Sequence, residues 1–305
     1  MKAYGSALQL KTAVQSFWNN YFALPDPFEG LLYTRTSTQK TDTYARLGAA
    51  PMPTAWVGNR NVKDVNEYSF SVVNNNYDAS VRVDKDLVRF EQWGEIANLL
   101  GNLGTKARAL IPSLTTTTMV AGTAAVCEDG QYFYDTDHAS PGAEYTTSQD
   151  NDLTGTAATN TQPTAAETLT ALRAMFAQLY SYKDDRGDPM APVDVMDPAN
   201  FVVMIPPVYL GPFRQVLNAE TITAAGDNDL KGTFTLRINP YITTVNQCFM
   251  HYRGSDHKPF IVQQASGVEL TEEREHGTGD YVYSASWAGN IGYGEWRTTV
   301  SYIFS

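Results

Sequence analysis

Three short stretches hold the side chains whose types and spacing could do chemistry. Asp135, Asp137 and His138, in the run EDGQYFYDTDHASPG, put two carboxylates beside an imidazole, the donors of a divalent-metal site or an acid–base pair. The run lies in turn-forming sequence, and no HExxH or CxxC spacing elsewhere supplies further ligands. A metal-dependent hydrolase built on these three residues therefore stands behind a plainer reading, a turn whose Asp side chains bond neighbouring amides. Asp256, His257 and Lys258 form a second cluster, with His251 upstream and His276 completing the histidines. His251 alternates into a strand and the others fall at its exposed end, which suits solvated polar residues. Asp184, Asp185 and Asp188 suggest a calcium loop, but EF-hand spacing and its terminal Glu are missing. Gly277, Gly279 and Asp280 read as a hairpin turn. With no GxSxG elbow, Walker loop or GxGxxG fingerprint, the expectation is of no catalytic residue, no cofactor and no metal.

Composition narrows the class. The chain has 305 residues, 43% hydrophobic and 18% charged, enough to bury a core as one large domain or two. A net charge of -11 argues against a surface made to grip nucleic acid. Cys127 and Cys248 show no metal-ligand spacing and are expected as reduced thiols. The absence of a ~20-residue apolar run or a signal-peptide core predicts folding in the cytoplasm, away from a membrane.

The element that organises the rest is DKDLVRFEQWGEIANLLGNLGTKARALI, Asp84 to Ile111. Its apolar residues, among them Leu87, Phe90, Trp93, Ile96, Leu100, Leu103 and Leu110, follow the spacing of one buried helical face. Asp84 is placed to cap the first turn, and Pro112 is expected to stop a rod of roughly 40 Å. Gly94, Gly101 and Gly104, each costing about 1 kcal/mol against Ala, imply close backbone approach along one side. Ahead of it, GSALQLKTAVQSFWNNYF predicts an amphipathic helix that must lie on its own core or on a neighbour. Residues 31 to 83 alternate as strands meeting near Asn74 to Asn76, a long hairpin with a polar tip and little core of its own.

Downstream, Gln131 to Tyr134 reads as a strand and residues 142 to 165 as a long surface loop. Thr164 to Tyr182 is a helix opened by a capping box with Glu167. ANFVVMIPP is a buried strand and VYLGPFRQVLN a short helix. Thr233–Ile238, Cys248–Tyr252, Pro259–Gln264, Tyr281–Trp287 and Arg297–Phe304 are β-like, with glycines 289, 292 and 294 breaking the last two apart. The order of elements predicts an α+β fold. The 18 Tyr, 13 Phe and 5 Trp, several in projecting segments, suit interfaces that need rigid contact area.

The helix, then DGQYFYDTDHASPG, FVVMIPP with VYLGPFRQVLN, and the closing YGEWRTTVSYIF resemble the Mu-like major head subunit family of tailed phages over roughly residues 80 to 305. The resemblance implies the tailed-phage major capsid fold of the Hong Kong 97 type. Carried onto this chain, 1–30 is an N-terminal arm and 31–83 an extended loop. The spine helix and first part of a peripheral domain take 84–159, an axial domain 160–247, and returning peripheral strands 248–305. It further implies a virion protein assembled in the host cytoplasm, a homo-oligomer of hexamers and pentamers around double-stranded DNA held without sequence specificity. Scaffolding, portal and decoration proteins would be its other partners. Subunit-interface candidates are Phe17, Trp18, Tyr21, Tyr33, Tyr44, Arg46, Trp56, Arg60 and Tyr68. Lys40 and Lys63 are the lysines available for a covalent link between subunits, although no motif marks either. The rival within the virion is a β-rich tail or adhesion component.

Overall fold

A computed structural model describes residues 2–49, 67–90, 92–139, 144–190 and 197–305, with the side chains of all but residues 2–10 and Arg46. In chain order the elements are α1 (Lys2–Ala23), β1 (Leu32–Thr36), β2 (Thr41–Leu47), β3 (Glu67–Val73), β4 (Asn75–Val83), α2 (Lys85–Arg89), α3 (Trp93–Val120), β5 (Asp152–Gly155) and α4 (Ala165–Ser181). They continue as β6 (Phe201–Ile205), α5 (Leu210–Asn218), β7 (Thr221–Ile222), β8 (Gly226–Asp227), β9 (Thr235–Ile238), β10 (Gln247–Tyr252), β11 (Phe260–Arg274), β12 (Tyr281–Tyr293) and β13 (Thr299–Phe304). Most strands gather into two sheets, one in the order β1-β11-β12-β4 and one in the order β5-β13-β10-β6-β9, while β2 and β3 pair as a separate ribbon. The α+β expectation holds.

The larger core lies around the five-stranded sheet. Every residue of β6 is buried, as its unbroken apolar sequence requires, and α4 lays Leu169, Leu172, Met175, Phe176 and Leu179 into the same core. The capping box forms as read, with Thr164 Oγ1 accepting from the Glu167 amide and Glu167 accepting from the Thr164 amide.

A second core is the meeting of α1 with α3. Ala13 and Phe17 pack with Ile96, Leu100 and Leu103 of α3, and with Val83, Tyr283 and Ala285 of the four-stranded sheet. Two of the three glycines account for themselves here. A Cβ on Gly104 would collide with the Phe17 carbonyl and one on Gly101 with the Asn20 side chain, whereas Gly94 has open space. Of the two resting places the sequence left open for the N-terminal helix, its own body is the one observed.

Several expectations are corrected. The organising helix is two pieces, because the chain breaks after α2 and leaves Phe90 68% exposed. Asp84 caps only the short piece, accepting from the Asp86 amide at 2.7 Å. Pro112 does not stop α3, which runs on to Val120. The proline removes one backbone donor, while Thr115 and Thr116 on the next turn are buried and bond back to the Ile111 and Pro112 carbonyls, each at 2.8 Å.

The strands flanking Asn74 do not pair with each other. β3 pairs with β2, and β4 crosses to pair antiparallel with β12 along its whole length. Nor is the ribbon under-packed at its described end: Tyr44 Oη donates to Gln263 Oε1 at 2.7 Å and Asn290 Nδ2 donates to the Val73 carbonyl at 2.8 Å. Glycines 289 and 292 stay inside β12, because a Cβ there would strike the Gln263 carbonyl and Val72 respectively. The stretch 142 to 165 contains β5, which adds parallel to β13, and Asn151 just ahead of it is fully buried. Gln131 to Tyr134 makes only a bridge between Tyr132 and Val126.

Candidate functional site

The DGQYFYDTDH stretch folds around Gly130, whose positive φ of 87° lets the chain double back so that the Cys127 amide donates to the Gln131 carbonyl at 2.8 Å. This turn sends Cys127 and Asp129 inward. Cys127 Sγ donates to Asp129 Oδ1 at 2.9 Å, and Asp129 Oδ2 lies 2.7 Å from His138 Nδ1. His138 Nε2 is 3.2 Å from Asn151 Oδ1, and its ring stacks on Trp296 with centroids 3.9 Å apart. All four polar residues are buried. Burial alone would raise the Asp129 carboxyl, but the hydrogen bond and charge of His138, with the Cys127 thiol and the Gln131 amide, hold it below the ordinary value. Burial pushes the Cys127 thiol far up, and the Asp129 charge adds to this.

The hydrolase trio does not assemble. Asp135 turns to the Tyr132 and Thr136 amides at 3.2 and 2.7 Å, the local bonding expected of a turn. Asp137 is exposed, its carboxyl raised chiefly by a hydrogen bond with Asp135, while His138 faces Asp129 instead. The partners that matter, Asp129 and Asn151, carried no signal beyond a turn-like Asp-Gly pair and a polar run. Among the described residues, Cys127, Asp129 and His138 are the group whose possible ligand atoms lie within 4.8 Å of one another.

The other polar clusters are structural. His251 is fully buried on β10, with Nδ1 2.8 Å from Thr299 Oγ1, and Asp256 and His257 are exposed beyond it. Asp184 Oδ1 accepts the Arg186 and Asp188 amides, both at 2.9 Å, which closes a turn with no calcium-loop geometry.

The aromatic candidates divide. Phe17 is fully buried and Tyr44 is 7% exposed, both inside their own chain. Trp18 and Tyr21 are half-buried and continue an aromatic string from Phe17 to Phe22, which is 75% exposed. Tyr33 is exposed and Tyr68 half-buried. Tyr33 and Tyr44 converge on Arg35, whose guanidinium sits 5.3 and 5.1 Å from the two rings, in a groove of roughly 510 Å³ that also includes Leu47 and Phe70. The Arg46 side chain, Trp56, Arg60 and Lys63 lie outside the described residues. Composition hinted at contact surface without identifying Phe22, Leu47 and Phe90, the large apolar residues most exposed among those described.

Residues 9–168, carrying α1, the ribbon, α3 and the buried polar cluster, match the family described as the Mu-like prophage major head subunit gpT. The chain belongs to this family. The family's "Mu-like prophage FluMu major head subunit" from Haemophilus influenzae is 29% identical over 124 residues, 41% of this chain and 40% of that protein. The major capsid protein of Escherichia phage Mu is 25% identical over 114 residues, 37% of each chain. The match thus spans about two-fifths of either relative's length. In three dimensions the chain is similar to a subunit of the bacteriophage JBD30 procapsid, with a TM-score of 0.56 and 19% identity, covering 100% of this chain and 76% of that one. At that identity the likeness shows the fold, the α+β tailed-phage capsid fold of the Hong Kong 97 type.

Proposed function

We propose that this chain is a phage head subunit whose copies assemble as hexamers and pentamers into a closed icosahedral shell around double-stranded DNA. The observation that carries the reading is membership of the head-subunit family across the half of the chain that holds α1, the ribbon and α3. The role is structural, and the chain is a virion component rather than an enzyme. In this reading 1–30 serves as arm, 31–83 as extended loop, α3 as spine, 160–247 as axial domain and the strands after residue 248 as the returning part of a peripheral domain.

Physical chemistry supports it in two ways. Phe22, Leu47 and Phe90 remain 75%, 68% and 68% exposed beside two filled cores, so a lone subunit bares apolar surface that contact with other copies would bury. Trp18, Tyr21, Tyr33 and Tyr68 are the aromatic candidates left with surface to offer. A net charge of -11 suits a container, because strong phosphate neutralisation would hold packaged DNA fast through counterion release. Scaffolding, portal and decoration proteins are the partners such a shell would meet. Light scattering on the purified full-length protein across a range of salt, with and without a scaffold, tests the reading: particles of shell mass are expected, and monomers under every condition would refute it.

A further inference from the structure

We propose that Cys127, Asp129 and His138 form a buried site for one divalent cation of the zinc class. The argument starts from Asn151. Its Nδ2 donates to the Phe133 carbonyl and its Oδ1 accepts the Asp135 amide, each at 2.8 Å, which fixes the orientation of the side-chain amide. The atom 3.2 Å from His138 Nε2 is therefore an acceptor, so Nε2 carries the ring proton. In the neutral ring, Nδ1 then turns a lone pair toward Asp129 Oδ2 only 2.7 Å away. Two lone pairs face each other at that separation only with a cation between them.

A shared proton is one such cation, with the Cys127 thiol donating to the other oxygen of the carboxylate; a divalent ion is another, and it would take all three residues as ligands. Cys127 Sγ lies 2.9 Å from the other oxygen of the same carboxylate, so Sγ, Oδ1, Oδ2 and Nδ1 converge from three residues. This mixed sulphur, oxygen and nitrogen set suits zinc. The charges also balance. On binding, the thiol proton and the proton held between Nδ1 and Oδ2 both pass to solvent, and Zn²⁺ with one thiolate, one carboxylate and a neutral imidazole is electrically neutral, as a dry interior demands. The three residues are 8%, 7% and 0% exposed. The supporting shell is already built: Asn151 holds the tautomer from behind and Trp296 holds the ring plane, the arrangement that orients metal-ligating imidazoles. The present separations are those of hydrogen bonds, and a bound ion would push the donors apart until each lies about 2.0–2.3 Å from the metal. His138 is the one residue shared with the trio singled out in the sequence.

The test uses the full-length protein expressed in zinc-supplemented medium and desalted. Elemental analysis is expected to find one zinc per chain, and X-ray absorption a single sulphur neighbour. Stripping with a strong chelator lowers the thermal midpoint, and zinc restores it. Cys127→Ser and Asn151→Ala each weaken retention, the latter by about tenfold or more through the freed ring. Wild-type protein that retains no zinc and melts identically with chelator or added zinc holds a proton at this position, and the inference falls. Because that reading needs no variant, a substitution that fails to fold does not protect the proposal, and shell assembly is unaffected as a separate question.

Discussion

At the scale of single residues, His251 makes the sharpest statement. Burial, helped by the nearby Arg237 charge, lowers its pKa from 6.5 to about 3. The folded chain thus refuses a proton that the unfolded chain accepts below about pH 6.5, and stability is lost as pH falls from there toward 3. The slope from this group is at most about 1.4 kcal/mol per pH unit. His251→Gln, which keeps a polar partner for Thr299, is expected to flatten the curve by up to that amount. Urea titrations of the two proteins at matched pH values measure the difference, and parallel curves would show that His251 takes a proton when folded. A second contrast separates two glycines of α3. Gly94→Ala has open space and is expected to stabilise by up to about 1 kcal/mol. Gly104→Ala drives a methyl into the Phe17 carbonyl and is expected to destabilise by about 1–3 kcal/mol. Thermal midpoints that move in the same direction would contradict the helix contact.

At the scale of elements, α4 and α1 carry different kinds of evidence. Thr164→Ala removes the cap from α4 and is expected to cost about 1 kcal/mol, seen as a lowered unfolding midpoint with unchanged cooperativity. Along α1, Phe17→Ala opens the second core and is expected to cost about 3–5 kcal/mol, whereas Phe22→Ala leaves the subunit's melting unchanged and impairs only its association. Melting and sedimentation of the two variants decide between core and contact. These elements also mark what sequence can reveal. The capping box, the apolar run of β6 and the face of α4 are local patterns, and each was legible. The pairing of β4 with β12, some two hundred residues onward, was not, because alternation gives a strand's faces and says nothing about which edge it joins. The passage of α3 through Pro112 was hidden for a related reason: burial of the following turn outweighed one missing hydrogen bond. In the polar cluster, His138 was visible as chemistry, but its partners Asp129 and Asn151 looked like turn and loop until the fold closed them together.

At the scale of the whole molecule, the structure changes how assembly is framed. The N-terminal helix and the described part of the ribbon rest on their own subunit: Phe17 is buried there, and the Ala49 amide and carbonyl bond Asp185 and Arg186 at 2.8 and 2.7 Å. The subunit is therefore a folded body in its own right, and in the proposed assembly its copies would meet through surface it still exposes. Imaging the purified full-length protein by negative-stain electron microscopy tests this most directly. The account predicts closed shells of uniform diameter, built from rings of subunits. Fields of isolated particles of 33.7 kDa, unchanged by salt, protein concentration or scaffold, would contradict it.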